Sequence, residues 1–369
     1  MLIGVPKEIK TREYRVGLTP ASVVELVAHG HRVLVESGAG AGIDLGDDLY
    51  REAGAEIAAT AADIFARADM VVKVKEPQPV ECAMLRPEQI LFTYLHLAAD
   101  KPQAQALCKS GSLAIAYETV TSPDGRLPLL QPMSEVAGRM AVQVGARALE
   151  KVAGGRGLLL GGVPGVAPAK VVILGGGVAG ENALQMAIGA RARVTMFEKS
   201  LSRIVSLDHR YGDKASITYS TAAAVREAVL DADLVIGAVL IPGAAAPKLV
   251  TREMVAQMRP GAVLVDIAID QGGCFETSHP TTHDEPTYVV DDVVHYCVAN
   301  MPGGVPRTAT FALNNATLPY VLALADKGVE KALADDPHLR AGVNVANGQI
   351  RHQAVAAALN MDFNAFMPG

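Results

Sequence analysis

The sequence predicts an α/β protein built from two wound domains, and three observations carry that prediction. Short β-branched runs alternate with alanine-rich helical stretches along most of the chain. A glycine-rich turn, Gly175-Gly-Gly177-Val-Ala-Gly180, sits directly between an apolar run and a helical one. From Ala309 onward the pattern reads as helices only, and those helices need a sheet face to cover.

In the first third the strand candidates are 2–5, 32–36, 70–75, 90–94 and 113–118, separated by helical stretches at 21–28, 61–66 and 102–109. A longer helix is expected from Ser134 to about Lys151, with Ser134 as N-cap, Glu135 in the first turn and Gly154-Gly155 ending it. A second alternating block follows, with strands at 170–174, 193–197, 234–239, 262–267 and 287–290. The uncharged run 308–325 holds Asn314, Asn315 and Pro319, and reads as a buried helix rather than a membrane span. The expected organisation is a discontinuous first domain, 1–128 with 307–369, and an inserted second domain, 129–306. The Pro302-Gly-Gly-Val-Pro306 segment is the expected return hinge.

Composition narrows the function. The 369 residues are 50% hydrophobic and 20% charged with a net charge of −6, which excludes disordered and collagen-like readings. No basic block offers a footprint for nucleic acid or an anionic membrane, so small ligands are the expected partners. Cys82, Cys108, Cys274 and Cys297 are widely spaced, as in a reduced cytoplasmic protein. The N-terminus meets charge at Lys7 and does not read as a secretory signal.

The glycine turn follows a strand, leads into a helical stretch opening at Glu181 and precedes a second strand ending in Glu198, the context of a Rossmann-type dinucleotide site. Gly175 permits the tight turn, Gly177 lets the backbone approach a pyrophosphate, and Gly180 lets helix and strand pack closely. The helix N-terminus offers unpaired N–H groups to phosphate. A carboxylate at Glu198 suits the ribose diol of NAD and repels the 2′-phosphate of NADP, although Arg203 nearby could serve a phosphate.

Several polar residues stand in apolar surroundings. Lys73 and Lys75 share a face at the end of one strand candidate, where a cation can hold a substrate carboxylate or carbonyl; a solvated strand end fits as well. His96 closes another apolar run, either as a proton carrier or as a hydrogen-bonded core histidine. Asp270 ends the run beginning at Val263, within which Asp266 reads as structural. Arg15 could clamp a carboxylate through its fork or lie on the surface. His279 and His283 read as surface residues of a polar loop, and no nucleophile elbow or P-loop is present.

The chain resembles the alanine dehydrogenase/pyridine nucleotide transhydrogenase family. The carriers are Gly4-Val-Pro-Lys-Glu…Glu13-Tyr-Arg-Val, Val72-Lys-Val-Lys-Glu-Pro77, Leu91-Phe-Thr-Tyr-Leu-His-Leu-Ala98 and Pro132-Met-Ser-Glu-Val-Ala-Gly138. Further blocks are Gly161-Gly-Val-Pro-Gly165, the segment from Val263 to Cys274, and Val298-Ala-Asn-Met-Pro302. The resemblance implies an oxidoreductase that converts L-alanine and NAD reversibly to pyruvate, ammonium and NADH. Arg15 and Lys75 fall on the substrate binders, His96 on the acid/base and Asp270 on its acidic partner. Cofactor contacts fall on Ser134, Gly175, Gly177, Val178, Ala179, Gly180, Glu198, Arg203, Ser220, Val239, Leu240, Ile267, Asp270, Val298, Asn300 and Met301.

The resemblance further implies a homo-oligomer, a hexamer. The alternative it leaves is a soluble transhydrogenase-like nucleotide-binding component. The family commonly carries Asn where Arg12 stands here. Some members hold magnesium with a carboxylate at the position of Glu118 and a histidine where this chain has Lys327, and no metal is carried over.

Overall fold

The computed structural model describes residues 1–239 and 246–367. The chain opens with β1 (Leu2–Val5), α1 (Pro20–Ala28), β2 (Arg32–Glu36), α2 (Asp47–Glu52), β3 (Glu56–Ala58) and α3 (Ala61–Arg67). It continues through β4 (Met70–Val72), α4 (Pro79–Cys82), β5 (Ile90–Thr93), α5 (Lys101–Ser110), β6 (Leu113–Ala116) and α6 (Gln131–Ala148). The middle carries β7 (Lys170–Leu174), α7 (Val178–Gly189), β8 (Arg193–Glu198), α8 (Leu201–Tyr211), β9 (Ala215–Tyr219) and α9 (Ala222–Leu230). Next come β10 (Leu234–Gly237), α10 (Arg252–Gln257), β11 (Val263–Asp266), β12 (Thr287–Val290) and β13 (Val293–Tyr296). The chain ends with α11 (Pro306–Lys327), α12 (Val329–Asp335), α13 (Pro337–Arg340), β14 (Val343–Ala346), β15 (Gln349–Ile350) and α14 (Gln353–Leu359).

Two compact units result, one of Met1–Met133 with Val305–Gly369, the other of Ser134–Gly304. The first holds an eight-stranded sheet of order β15-β14-β6-β5-β4-β1-β2-β3. Its strands from β6 to β3 are all parallel, while β14 and β15 join antiparallel. The second holds seven strands, β12-β13-β11-β10-β7-β8-β9, parallel except for β12.

Helices cover both faces of a parallel sheet, so its central strands read as unbroken apolar runs. Leu91, Ala114 and Ala116 pack with Leu107, Val345 and Val355 in the first core. Val172, Val235 and Leu264 pack with Phe275 and Met254 in the second. Side-chain oxygens of Thr19, Thr60, Asp100, Ser200, Thr221 and Thr251 cap their helices, each accepting a backbone N–H within the first turn.

Three expectations are corrected. The long helix begins at Gln131, so Ser134 lies inside its first turn and is not the cap. A turn from Leu127 leads into the helix through Leu130 and Gln131, and Pro132 near its start has a pre-set φ and no N–H to leave unpaired. The tail is not helical throughout: β14 and β15 form a hairpin closed by Asn347 and Gly348, both at positive φ, the signature of a type I′ turn. A second such hairpin, with Asp291 and Asp292 at positive φ, adds β13 beside β12. The helix after the glycine turn starts at Val178 rather than Glu181. The run 308–325 lies within α11, and no helix among the described residues is long and apolar enough to cross a membrane.

Candidate active site

In each wound sheet, the crevice beyond the carboxyl ends of the strands opens where the strand order reverses. In the first unit that point lies between β1 and β4, since the chain runs outward from β1 to β3 and returns to β4 on the other side. Arg15 follows β1, Lys75 follows β4, and His96 follows β5, the next strand along. The three residues therefore lie in loops leaving one edge of one sheet.

Burial decides two of the alternatives left open by the sequence. Arg15 is only 2% exposed. Its Nε donates to Glu13 Oε1 at 2.6 Å, one terminal nitrogen donates to Glu13 Oε2 at 2.5 Å, and the other reaches Met133 Sδ at 3.1 Å. Burial alone would weaken the guanidinium charge, but the Glu13 carboxylate more than restores it. Lys75 is also buried, with its Nζ 3.6 Å from Glu76 Oε2 and its carbonyl accepting from Thr93 Oγ1 at 2.9 Å.

Lys73, which shares the sequence signal of Lys75, has a different task. It is wholly buried, donating to Glu8 Oε2 at 3.1 Å and Glu81 Oε1 at 2.7 Å. Glu8 in turn accepts the N–H groups of Val74 and Lys75, so this ion cluster shapes the loop that carries Lys75. Burial pushes the Glu8 carboxyl above its ordinary range despite the Lys73 charge.

The side chain of His96 is 49% exposed, unlike a core histidine. Its backbone is left-handed (φ 51°, ψ 34°), and its ring lies parallel to Tyr94 at 5.7 Å between centroids. Tyr94 is anchored through its hydroxyl, which donates to Leu129 O at 2.5 Å. The carboxylate of Glu118, just after β6, accepts the His96 N–H at 2.6 Å and that of Leu95 at 3.2 Å. Glu8, Glu13 and Glu81 carry no role in the sequence reading, and Glu118 entered it only as the position of a metal carboxylate in some family members. The usable signal was their position just past a strand or at a helix start, and it does not name the partner.

In the second unit the order reverses between β7 and β10. The glycine turn follows β7, Glu198 ends β8, Ser220 follows β9, and Val239 follows β10. Ile267 and Asp270 follow β11, while Val298, Asn300 and Met301 follow β13. Leu240 lies outside the described residues. Asp270 is exposed in a 3-10 turn held by Asp266, whose carboxylate accepts from the Ala268 and Cys274 N–H groups and from Ser278 Oγ at 2.5 Å. Burial raises the Asp266 carboxyl above its ordinary range in spite of those donors. Asn300 is left-handed, its carbonyl 3.2 Å from His283 Nε2, so His283 is a half-buried loop support while His279 is exposed. Ser134 is half-buried in α6, and Val178 and Ala179 are the first two residues of α7.

The glycine turn fits a dinucleotide. A Cβ on Gly180 would lie 1.8 Å from Gly175 O, and Gly175 itself is at φ 101°. Exposed Gly177 caps α7, and a Cβ there would meet nothing within 4 Å, leaving the space a phosphate needs. The Glu198 carboxylate accepts the N–H groups of Gly176 at 2.8 Å, Lys199 at 2.6 Å and Ser200 at 2.9 Å. Arg203 donates to Gly176 O at 2.6 Å and pairs with Glu181, which links α8 to the turn. Among the described residues, no three His, Cys, Asp or Glu side chains gather as a metal site.

Comparison with known proteins identifies the family. Residues 4–137 match the family described as alanine dehydrogenase/PNT, N-terminal domain, and residues 141–353 match its C-terminal domain. The chain is 60% identical over 363 residues to alanine dehydrogenase of Halomonas elongata, covering 98% of each chain. It is 56% identical to that of Bacillus subtilis, covering 98% of this chain and 96% of the relative. A solved L-alanine dehydrogenase superposes with a TM-score of 0.95 at 54% identity, over 98% and 99% of the two chains. A transhydrogenase from Sinorhizobium meliloti stands further off, with a TM-score of 0.82 at 26% identity over 96% and 100%. The chain belongs to the alanine dehydrogenase/PNT family.

Proposed function

We propose that the protein is an L-alanine dehydrogenase, catalysing the reversible NAD-dependent oxidative deamination of L-alanine to pyruvate and ammonium. The observation that carries this reading is the set Arg15, Lys75 and His96 in loops that follow β1, β4 and β5 in one sheet, within a chain 60% identical over 363 residues to an alanine dehydrogenase. Glu198 supports NAD over NADP. Three backbone donors leave its Oε2 with capacity for a ribose hydroxyl, and its charge repels a 2′-phosphate.

Arg15 and Lys75 hold the carboxylate of alanine and later the carbonyl oxygen of pyruvate, a positioning effect without covalent chemistry. The glycine turn and the first N–H groups of α7 hold the pyrophosphate, with Glu198 and Arg203 flanking the ribose and Ser134, Ser220, Val239, Ile267, Val298, Asn300 and Met301 as further contacts. NAD, when bound, supplies the acceptor for the hydride that leaves Cα. Loss of that hydride leaves an iminium. His96 takes a proton from water as the water oxygen bonds to Cα and returns it to the nitrogen; the C–N bond then breaks and the carbinolamine hydroxyl proton passes to the departing amine, giving pyruvate and ammonium. Asp270 balances positive charge on the amine. The alanine ammonium group gives up one proton to solvent before the hydride leaves, so one turnover converts alanine, NAD and water to pyruvate, ammonium, NADH and one proton.

The protein works as a homohexamer in the cytoplasm on this reading. The exposed apolar side chains Val152, Leu159, Val163 and Val166 of the second unit support self-association, and light scattering of the purified protein tests it. The activity test is NADH absorbance at alkaline pH with NAD and L-alanine, beside NADP, D-alanine, serine and 2-aminobutyrate. Turnover with L-alanine and NAD is expected. NADH binding without turnover of any amino acid refutes the dehydrogenase reading in favour of a transhydrogenase-like component.

A further inference from the structure

The catalytic reading of His96 leaves unexplained why an exposed histidine holds one backbone conformation. Its φ of 51° lies in the left-handed region, which non-glycine residues occupy only where their surroundings hold them. The His96 ring lies parallel to Tyr94 at 5.7 Å with an 8° interplanar angle.

The backbone is held from elsewhere. Glu118 lies in the 3-10 turn that follows β6, and β6 is hydrogen-bonded to β5. Its side chain is mostly buried. Both of its oxygens accept the Leu95 N–H at 3.2 Å, and Oε1 accepts the His96 N–H at 2.6 Å. The same Oε1 lies 4.0 Å from His96 Nδ1. Leu95 is buried in the first core, so the peptide is clamped on one side by packing and on the other by the carboxylate.

We propose that Glu118 is a positioning residue for catalysis: its carboxylate fixes the Leu95–His96 peptide and thereby the place from which the His96 imidazole handles its proton. The inference rests on the reading of His96 as the acid/base. It assigns Glu118 no contact with substrate or cofactor. A short acceptor to two successive N–H groups is the device, and its displacement by one methylene is enough to misplace the ring. Misplacement of about 1 Å at a reacting group costs up to about a hundredfold in turnover.

The test reads Glu118→Asp and Glu118→Gln against His96→Ala, with NADH fluorescence for binding and steady-state kinetics for turnover. Glu118→Asp withdraws the acceptor and is expected to lower kcat about 10- to 100-fold, with the KM for alanine and the NADH Kd within about twofold. Glu118→Gln keeps an oxygen for the His96 N–H and is expected to recover kcat to within about threefold of the parent. In the His96→Ala background, Glu118→Asp is expected to change kcat by less than about twofold, because the group it acts through is gone. Wild-type kcat in Glu118→Asp overturns the proposal. So does a full loss on top of His96→Ala, since Glu118 would then act independently. Wild-type turnover in His96→Ala alone refutes the catalytic reading itself, and is distinguishable from both.

Discussion

Two glycines three residues apart in the same turn allow the dinucleotide site to be separated from the fold. Gly180 is buried, and a Cβ there would stand 1.8 Å from the carbonyl oxygen of Gly175 and 2.9 Å from its carbonyl carbon. Ordinary contact begins at 3.4 Å, and the obstacle is backbone, so α7 must move away from the end of β7. Overpacking of this kind costs about 1–3 kcal/mol. The same movement takes the α7 N–H groups off their target, and losing one bond to a charged group costs about 1.5–3 kcal/mol, or about ten- to a hundredfold in affinity. Gly180→Ala is therefore expected to lower Tm and to weaken NADH binding together.

Gly177 is the contrast. It is exposed at φ −68° and ψ −167°, a conformation open to alanine, and a Cβ there meets nothing within 4 Å. The unfolded-state entropy gain of about 0.4–1 kcal/mol is offset because alanine caps a helix less well than glycine. Gly177→Ala should keep the parent Tm within about a degree or two, yet weaken NADH by about tenfold or more, because the methyl takes the pyrophosphate's space. The assays are NADH fluorescence titration and differential scanning calorimetry on both variants. Parent-like NADH affinity in Gly177→Ala would refute the placement of the phosphates, and a parent-like Gly180→Ala would refute the packing argument.

Four further outcomes follow from individual contacts. Lys73→Met leaves Glu8 and Glu81 buried without their cation, so urea unfolding should show a loss of about 3–5 kcal/mol at neutral pH; because the Glu8 carboxyl is already raised by burial, the loss should shrink as pH falls and protonation removes the charge. Glu198→Ala should shift the NAD-to-NADP preference toward NADP by about tenfold or more, and an unchanged ratio of kcat/KM values would sink the ribose assignment. His295 is buried, its Nδ1–H donating to Val293 O and its Nε2 taking the Thr277 hydroxyl, and burial holds it below the ordinary histidine range. The unfolded chain then binds protons first, so stability should fall as pH drops below about 6.5, and His295→Gln should flatten that slope in pH-dependent urea midpoints. Arg12 is left-handed at φ 59°, where asparagine is at ease, so Arg12→Asn should raise Tm by relieving about 1 kcal/mol of strain.

Several elements were legible because their cause is local. β1, β2, β7 and β12 fall on the residues that the apolar runs and their bounding turns mark out. The glycine turn was legible for the same reason: tight turn, helix start and close packing must all fall within six residues. The hairpin at Asn347-Gly348 carried an equally local signal, overlooked because the helical pattern around it is stronger. Strands 70–75 and 113–118 read too long because the polar residues at their ends are spent on loops, Lys73 in an ion cluster and Glu118 in a 3-10 turn.

By itself, then, the sequence determined the alternation of strands and helices and the dinucleotide turn, and marked Lys75, His96 and Asp270 as polar residues at strand ends and Arg15 as a candidate carboxylate clamp. Only the tertiary structure decided what each of them touches. Glu13 beside Arg15 and Glu81 beside Lys73 are near neighbours in sequence, but Glu8, after β1, meets Lys73 after β4, and Glu118, after β6, stands behind His96 after β5. Which carboxylate meets which cation depends on strand order, and strand order is set by the packing of whole helices on a sheet. No local pattern of residues encodes that pairing, because its energy is earned only once distant segments have excluded water from between them.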